Sequence, residues 1–473
     1  MLVGYTGKVT QDDALAILKT GANVFLTGEP GSGKTYTINR YVDYLRSRGV
    51  EPAITASTGI AATHIGGMTI HAWSGIGIKS ELTEYDLDAI AQKERVVRRV
   101  LDARVLIIDE ISMLSAQTLS SVELVLRTLR HNERAFGGLQ IIFVGDFFQL
   151  PPVQPRTLQG SLGLMDMRAQ FAFRSPAWEK ANPVPCYLLE QYRQEDSVFV
   201  SALGALRAGE VTDEVRECFA ERCVAAPATA GIPKLYPHNA DVDRLNSDAL
   251  AKISGTARTF AMQSRGMPAL IEGLKRSCLS PEALLLKVGA KVMFTKNNPE
   301  GKYVNGTTGE VVSFSSLTTY PVVRTRDGRT LEVEPVDWSV QDGSKILATI
   351  TQLPLRLAWA MTVHKSQGMS LDAAVIDLRQ AFEYGQGYVA LSRVRSLAGL
   401  YLLGFNERAL EVHPEVSLED EVFRRRSLKA LSAFAVMSDG ELAALHDNFI
   451  RASGGSERGD APAARKRPKK TKR

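Results

Sequence analysis

The 473-residue chain contains no stretch of about 18 uninterrupted apolar residues, and its start, MLVGYTGKVTQDDA, lacks the basic-then-apolar layout of an export signal. Neither a membrane anchor nor secretion is expected, and the chain reads as cytosolic. Cysteine is scarce. Cys186, Cys218, Cys223 and Cys278 form no C-x-x-C pair and have no His-x-x-x-His partner, which excludes a disulfide framework and a zinc knuckle and leaves them as buried thiols. No internal repeat at a fixed spacing is present. The body also lacks net charge. Residues 451–473 hold nine Lys/Arg and two Asp/Glu, so of the chain's 57 basic and 52 acidic residues, 48 and 50 remain in residues 1–450. The basic character belongs to the tail.

At 44% apolar and 23% charged residues, the composition is that of a globular protein, and the length suits roughly two to four domains of about 100 to 200 residues each. Short aliphatic runs ending in Gly, Asp, Ser or Thr alternate with helix-compatible stretches, the pattern of a parallel α/β fold. Four runs fall early: 23–28 (NVFLTG), 52–57 (PAITAS), 105–109 (VLIID) and 139–146 (LQIIFVGD). A second series follows at 234–237, 373–378 and 400–405. They are apolar throughout, as strands covered on both faces must be. Between the series, 298–348 changes character: Asn-Gly and Asp-Gly turns separate valine-rich alternating runs, which predicts a small antiparallel, barrel-like module. Residues 81–103 have a helical pattern. The final 23 residues, small and polar and then densely basic, read as a disordered tail suited to gripping phosphate backbones.

Directly after the first run stands Gly28-Glu29-Pro30-Gly31-Ser32-Gly33-Lys34-Thr35, a full G-x-x-x-x-G-K-[ST] loop followed by a helical segment. Gly28, Gly31, Ser32 and Gly33 let backbone N–H groups curl round an anion, Lys34 meets the outer phosphates of ATP, and the Thr35 hydroxyl ligates Mg²⁺. The third run ends in adjacent carboxylates, Asp109 for the metal and Glu110 as base toward water. The fourth leads into Gly145-Asp146-Phe147-Phe148-Gln149, where Gln149 is placed to orient the lytic water or to sense the terminal phosphate. The two phenylalanines face either a base or the core.

The ordered set GEPGSGKT, TASTGIAA, TIHAWSGIG, DEIS, GDFFQLPPV, EQYRQ, VHKSQGMSLD and YVALSRVRS resembles the Pif family of DNA helicases in superfamily 1, branch B, with RecD-like and Dda-like enzymes as more distant relatives. The resemblance covers residues 5–410. It implies an α/β protein with two RecA-like P-loop domains and small inserted modules. The expected division is motor domain 1 over 1–155 with a wedge-like insertion at about 75–103, motor domain 2 over 156–297 and 349–410, and the barrel-like insertion over 298–348. A helical segment at 411–450 and the basic tail at 451–473 complete it. By the same resemblance Gln11 reads adenine, Arg193 and Arg393 are arginine fingers, and Gly368 lies on the ATP side of the second domain. Thr55, Ser57, Thr58, His71, Trp73, Thr362, His364 and Lys365 are expected to contact DNA, with a place in the hydrophobic core as the other reading of Trp73.

The function so implied is ATP- and Mg²⁺-dependent, 5′-to-3′ unwinding in replication, recombination or repair, on single-stranded and forked DNA, with a monomer translocating and no membrane partner. A translocase that strips bound proteins and an ATP-liganded DNA-binding module are the alternatives. Many family members carry long N-terminal extensions. Here the motor begins within about ten residues, which suggests a compact bacterial or phage-like form. A bacterial chain would act in the cytoplasm at the nucleoid; a eukaryotic one, given the basic tail, could be nuclear.

Overall fold

The structure, a computed structural model, describes residues 9–64, 67–77, 81–152, 171–190, 196–224, 232–236, 242–298, 300–342, 345–363, 366–367 and 369–456. A six-stranded parallel sheet carries the first motor lobe, in the spatial order Met68–Thr69, Ala53–Ala56, Val105–Asp109, Gln140–Val144, Val24–Gly28, Val184–Leu188. Its central strands are apolar on both sides because both sides are covered. Phe25, Leu106, Ile108, Ile141 and Phe143 enter one core, while their neighbours Val24, Leu26, Val105, Ile107, Ile142 and Val144 enter the other. The largest buried polar side chain in this run of strands, Gln140, is bonded by Tyr41 and by the carbonyls of Leu18 and Ala22.

The second lobe holds a four-stranded parallel sheet, ordered Ala360–Thr362, Lys234–Tyr236, Ala374–Leu378, Leu400–Phe405. Strands at a sheet's carboxyl edge feed the loops that carry function, and here the two sheets turn such loops toward one cleft. The larger core runs without a break from Phe143 and Trp178 of the first lobe to Ile376 and Leu402 of the second.

Four boundaries differ from expectation. The strand Val184–Leu188 lies in the first sheet, paired with Val24–Gly28, so that sheet extends well past residue 155. The antiparallel region is wider than 298–348: its strands begin at Arg258 and end at Leu357, because the five-stranded sheet needs Lys291–Phe294 and Leu355–Leu357 to carry its hairpins. Its pairings among the described residues form sheets of five, three and two strands, and none of them closes a barrel. The expected tail starts too early, since the last helix runs Asp439–Ala452 and the Ser456 N–H still bonds the Arg48 carbonyl. Of the four free cysteines, only Cys186 is buried, and Cys223 is exposed.

The segment expected to bear the wedge forms two helices, Glu84–Ala91 and Glu94–Asp102, seated on the first lobe through Ile90, Val96 and Val100. After the second sheet the chain returns to the first lobe. The helix Pro414–Ala435 packs along Val184–Leu188, and the helix Asp439–Ala452 reaches Gln11–Lys19, where a His446 ring nitrogen bonds the Ala16 carbonyl at 2.9 Å. No helix among the described residues is long and apolar enough to cross a membrane.

Candidate active site

Strand Val24–Gly28 delivers the phosphate loop, and helix Lys34–Arg46 leaves it. Gly33, at φ +86°, caps that helix where a side chain would strike Gln11 Nε2 at 2.0 Å. This close approach lets Gln11, at the start of the capped helix Gln11–Lys19, donate to the Ser32 carbonyl at 3.3 Å. Lys34 Nζ donates to the carbonyls of Gly28 and Glu29 at 2.7 and 2.9 Å. The Ser32 hydroxyl is buried and has no hydrogen-bond partner among the described residues.

Facing the loop is the end of strand Val105–Asp109. Burial, with the Glu110 charge alongside, pushes the Asp109 carboxyl up to about 7, while the Glu110 N–H donates to its Oδ1 at 2.8 Å. Burial also raises Glu110, opposed by Lys34, Arg393 and a hydrogen bond from Gln367. Glu110 has a left-handed backbone, φ 52° and ψ 47°, which is uncommon for a residue with a side chain and marks local strain at the point where its carboxylate leaves the strand.

The second lobe contributes the opposite wall. Gln367 Nε2 lies 3.0 Å from Glu110 Oε2 and 3.4 Å from Gln149 Oε1, so one amide touches both groups across the boundary. Arg393 is 1% exposed. Its guanidinium is oriented by the Val389 carbonyl at 2.8 Å and the Ser392 hydroxyl at 2.9 Å, and burial lowers its pKa while Glu110 opposes that shift. Gly385, at φ +74°, comes so near the first lobe that an added Cβ would lie 2.4 Å from the Phe148 carbonyl oxygen. Between these walls is a cavity of about 500 Å³ lined by Gly31, Gly33, Lys34, Thr35, Asp109, Glu110, Gln149, Arg393 and Arg395, among others.

The structure thus gathers Gly31, Gly33, Lys34, Thr35, Asp109, Glu110, Gln149 and Arg393 around one cleft, with Gly28 and Ser32 in the loop beneath and Gln11 bonded to that loop. Arg193 and Gly368 lie outside the described residues, as do His364 and Lys365. Four of the residues expected at DNA are turned to the interior of the protein. Thr55 is fully buried and its hydroxyl donates to the Ile107 carbonyl at 2.7 Å; Ser57 donates to the Glu110 carbonyl at 2.6 Å; Trp73 is a core residue; and Thr362 is 1% exposed. In each case the strand or its flanking helix uses the side chain internally. Thr58 is partly exposed, its hydroxyl accepting from Ala61 N–H, and His71 is half-buried, with burial lowering its pKa. Phe147 and Phe148 face the core. Sequence reasoning passed over Gln367 and Arg395. Both stand inside quoted motifs, where a polar side chain amid small residues, and a second arginine two positions beyond Arg393, were the available signals.

Comparison with known proteins agrees with this geometry. The family model of PIF1-like helicases matches residues 9–216. The ATP-dependent DNA helicase Pif1 of a Psychrobacter species is 43% identical over 508 aligned residues, covering 94% of this chain and 75% of that protein. Unliganded Pif1 from a Bacteroides species superposes with a TM-score of 0.75 at 29% identity, over 90% of this chain and 98% of that one. The Bacteroides Pif1 helicase in complex with ADP-AlF3 and ssDNA superposes at 0.57, again at 29% identity and over 91% and 98% of the two chains. With identity at this level running through both lobes and the cleft they share, the chain belongs to the PIF1-like helicase family.

Proposed function

We infer that the protein is an ATP-dependent DNA helicase that moves 5′ to 3′ on single-stranded DNA as a monomer and opens forked duplexes, serving replication, recombination or repair. The observation that carries this reading is the Gln367 amide placed against both Glu110 and Gln149. A hydrolytic carboxylate on one lobe that is held by a side chain of the other responds when the lobes move, which is what a motor requires.

Lys34 can exchange the Gly28 and Glu29 carbonyls for phosphate oxygens, and the unpartnered Ser32 hydroxyl and the N–H groups of Gly31 and Gly33 complete an anion cradle. No group of three or more metal-ligating side chains occurs among the described residues, so Mg²⁺ would be held by Thr35 and Asp109 together with oxygens of the nucleotide and water. The chemistry fits: a wholly buried carboxyl with a raised pKa is ionised most readily beside a cation. Bound there, Mg²⁺ would screen the phosphate charge. Glu110 takes the proton of the attacking water, and its raised pKa brings it closer to working pH than an exposed glutamate. Gln149 orients that water, Gln11 meets the adenine edge, Gly368 approaches the phosphates, and Arg393 with Arg193 meets the charge that grows on the transferring phosphoryl group. Thr58, His71, His364 and Lys365 are assigned to DNA binding.

The difference between 0.75 and 0.57 for superposition on unliganded and DNA-bound Bacteroides Pif1 supports an arrangement nearer the DNA-free form. Unwinding of duplexes bearing a 5′ or a 3′ single-stranded tail tests the whole reading. Strand separation only with the 5′ tail, and only with hydrolysable ATP, is expected; separation from the 3′ tail alone would overturn the polarity, and none from either would overturn the helicase reading.

A further inference from the structure

Asp146 lies three residues before Gln149 and is wholly buried. Its Oδ1 accepts a hydrogen bond from Arg207 Nη2 at 2.9 Å, and Arg207 is itself only 2% exposed. The two come from different lobes. Asp146 follows strand Gln140–Val144 of the first sheet, whereas Arg207 ends helix Ser197–Ala208, which packs on Gln386–Leu391 and Asp213–Ala220 of the second lobe. The guanidinium also stands 4.4 Å from the Phe148 ring centroid, a cation–π contact within the same loop. A third element closes the group. From helix Pro414–Ala435, Asp420 Oδ1 lies 3.8 Å from Arg207 Nη2 and accepts from Tyr187 OH at 2.8 Å, while Arg424 donates to Tyr187 OH at 2.7 Å.

This is a poor device for stability alone. Two nitrogens of Arg207, Nε and Nη1, and the second carboxylate oxygen of Asp146 are buried without a hydrogen-bond partner among the described residues. A buried ion pair with such orphans gains little over an apolar replacement, because desolvation offsets the Coulomb attraction. Its placement, by contrast, is specific. Asp146 organises the turn that presents Gln149: its Oδ1 also accepts from the Phe148 N–H at 3.2 Å, and its carbonyl accepts from the Gln149 N–H at 3.0 Å. A second-lobe arginine thus holds the first residue of that turn.

We propose that Arg207 is a positioning residue for ATP hydrolysis, which through Asp146 holds Gln149 against Glu110 and Gln367 only when the second lobe is seated on the first. The proposal rests on the helicase reading above. It assigns Arg207 no contact with nucleotide. Loss of Arg207 therefore lowers kcat and leaves the affinity for ATP nearly intact, whereas a purely structural pair would matter only for folding.

The test uses the full chain with Arg207→Met, Arg207→Lys and the double variant Arg207→Met/Asp146→Asn. Thermal unfolding and steady-state ATP hydrolysis are measured with and without single-stranded DNA. In the DNA-stimulated reaction we expect Arg207→Met to lower kcat by about 100-fold, the effect of an ångström-scale misplacement, with KM for ATP changed by less than about 3-fold. Arg207→Lys restores part of kcat, since it keeps the charge but lacks the planar fork. The double variant removes the orphaned carboxylate and regains the melting temperature, yet stays slow; should Arg207→Met not fold, this variant carries the test. A double variant with the kcat of the unsubstituted protein would overturn the proposal, as would variants whose loss lies in KM alone. Absence of DNA stimulation in the unsubstituted protein would instead sink the helicase reading, and this proposal with it.

Discussion

Burial and the Glu110 charge place the Asp109 carboxyl at about 7, against an ordinary value of 3.8, so the folded chain binds that proton more tightly than the unfolded chain does. The stability this group supplies is complete below about pH 4, is lost as pH rises toward 7, and above that the ionised carboxylate is a standing cost. A shift of this size corresponds to at most about 4 kcal/mol. The variant also gives the Glu110 N–H a neutral acceptor in place of a charged one, a weaker hydrogen bond, so about half that figure is the expectation for it. Asp109→Asn keeps an oxygen for the Glu110 N–H and carries no charge. It should therefore abolish ATP turnover while raising stability without nucleotide, by about 2 kcal/mol or about 4 to 8 °C in a domain of 150–250 residues. Melting curves of both proteins at pH 5.5, 7 and 8.5 measure it. The gain should grow across that series, and magnesium with a non-hydrolysable nucleotide should raise the melting temperature of the unsubstituted protein more than that of the variant. A gain that is absent, or equal at pH 5.5 and 8.5, would refute the electrostatic account of this carboxylate.

Lys34→Ala should reduce DNA-stimulated ATP hydrolysis to background while DNA binding stays measurable by fluorescence anisotropy; turnover like that of the unsubstituted protein would contradict the phosphate role. Gln367→Ala should lower DNA-stimulated turnover about 10- to 100-fold, the worth of a hydrogen bond to a charged group, and Gln367→Glu, which sets a second carboxylate beside Glu110, should be slower still in the same phosphate-release assay. Truncation after Ser456 leaves the helix Asp439–Ala452 and the Ser456 N–H bond to the Arg48 carbonyl intact and removes eight Lys/Arg. Binding to single-stranded DNA at low salt should weaken, and the salt dependence should flatten by about 0.7 for each phosphate no longer neutralised; an unchanged slope would mean the tail grips no phosphates.

The parts of this molecule legible in its sequence are those whose physics is local. The runs at 23–28 and 105–109 became Val24–Gly28 and Val105–Asp109, because a strand buried on both faces must be apolar without interruption, and the run at 400–405 became the edge strand Leu400–Phe405. The phosphate loop was equally plain, since its glycines serve one neighbouring backbone. The strand Val184–Leu188 was hidden by Pro183 and Pro185, which argue against a central strand. It lies at the sheet edge, where the missing N–H is tolerated, and placing it there required knowing the order of the other five.

The interior placement of four residues expected at DNA was hidden for a related reason. A small hydroxyl residue such as Thr55 or Ser57 suits a phosphate oxygen and a backbone carbonyl equally well, and only the neighbouring strand decided between them. Arg207 is the extreme case. In ALGALRAGE it reads as a surface charge at a helix end, yet its partner Asp146 stands 61 positions away on the other lobe. Gln367 likewise acquires meaning only against Glu110, 257 positions earlier. In a two-lobed motor the groups that hold phosphate can be read along the chain, because each lobe builds them alone. The groups that couple the lobes cannot, because neither member of such a pair has a local reason to be there.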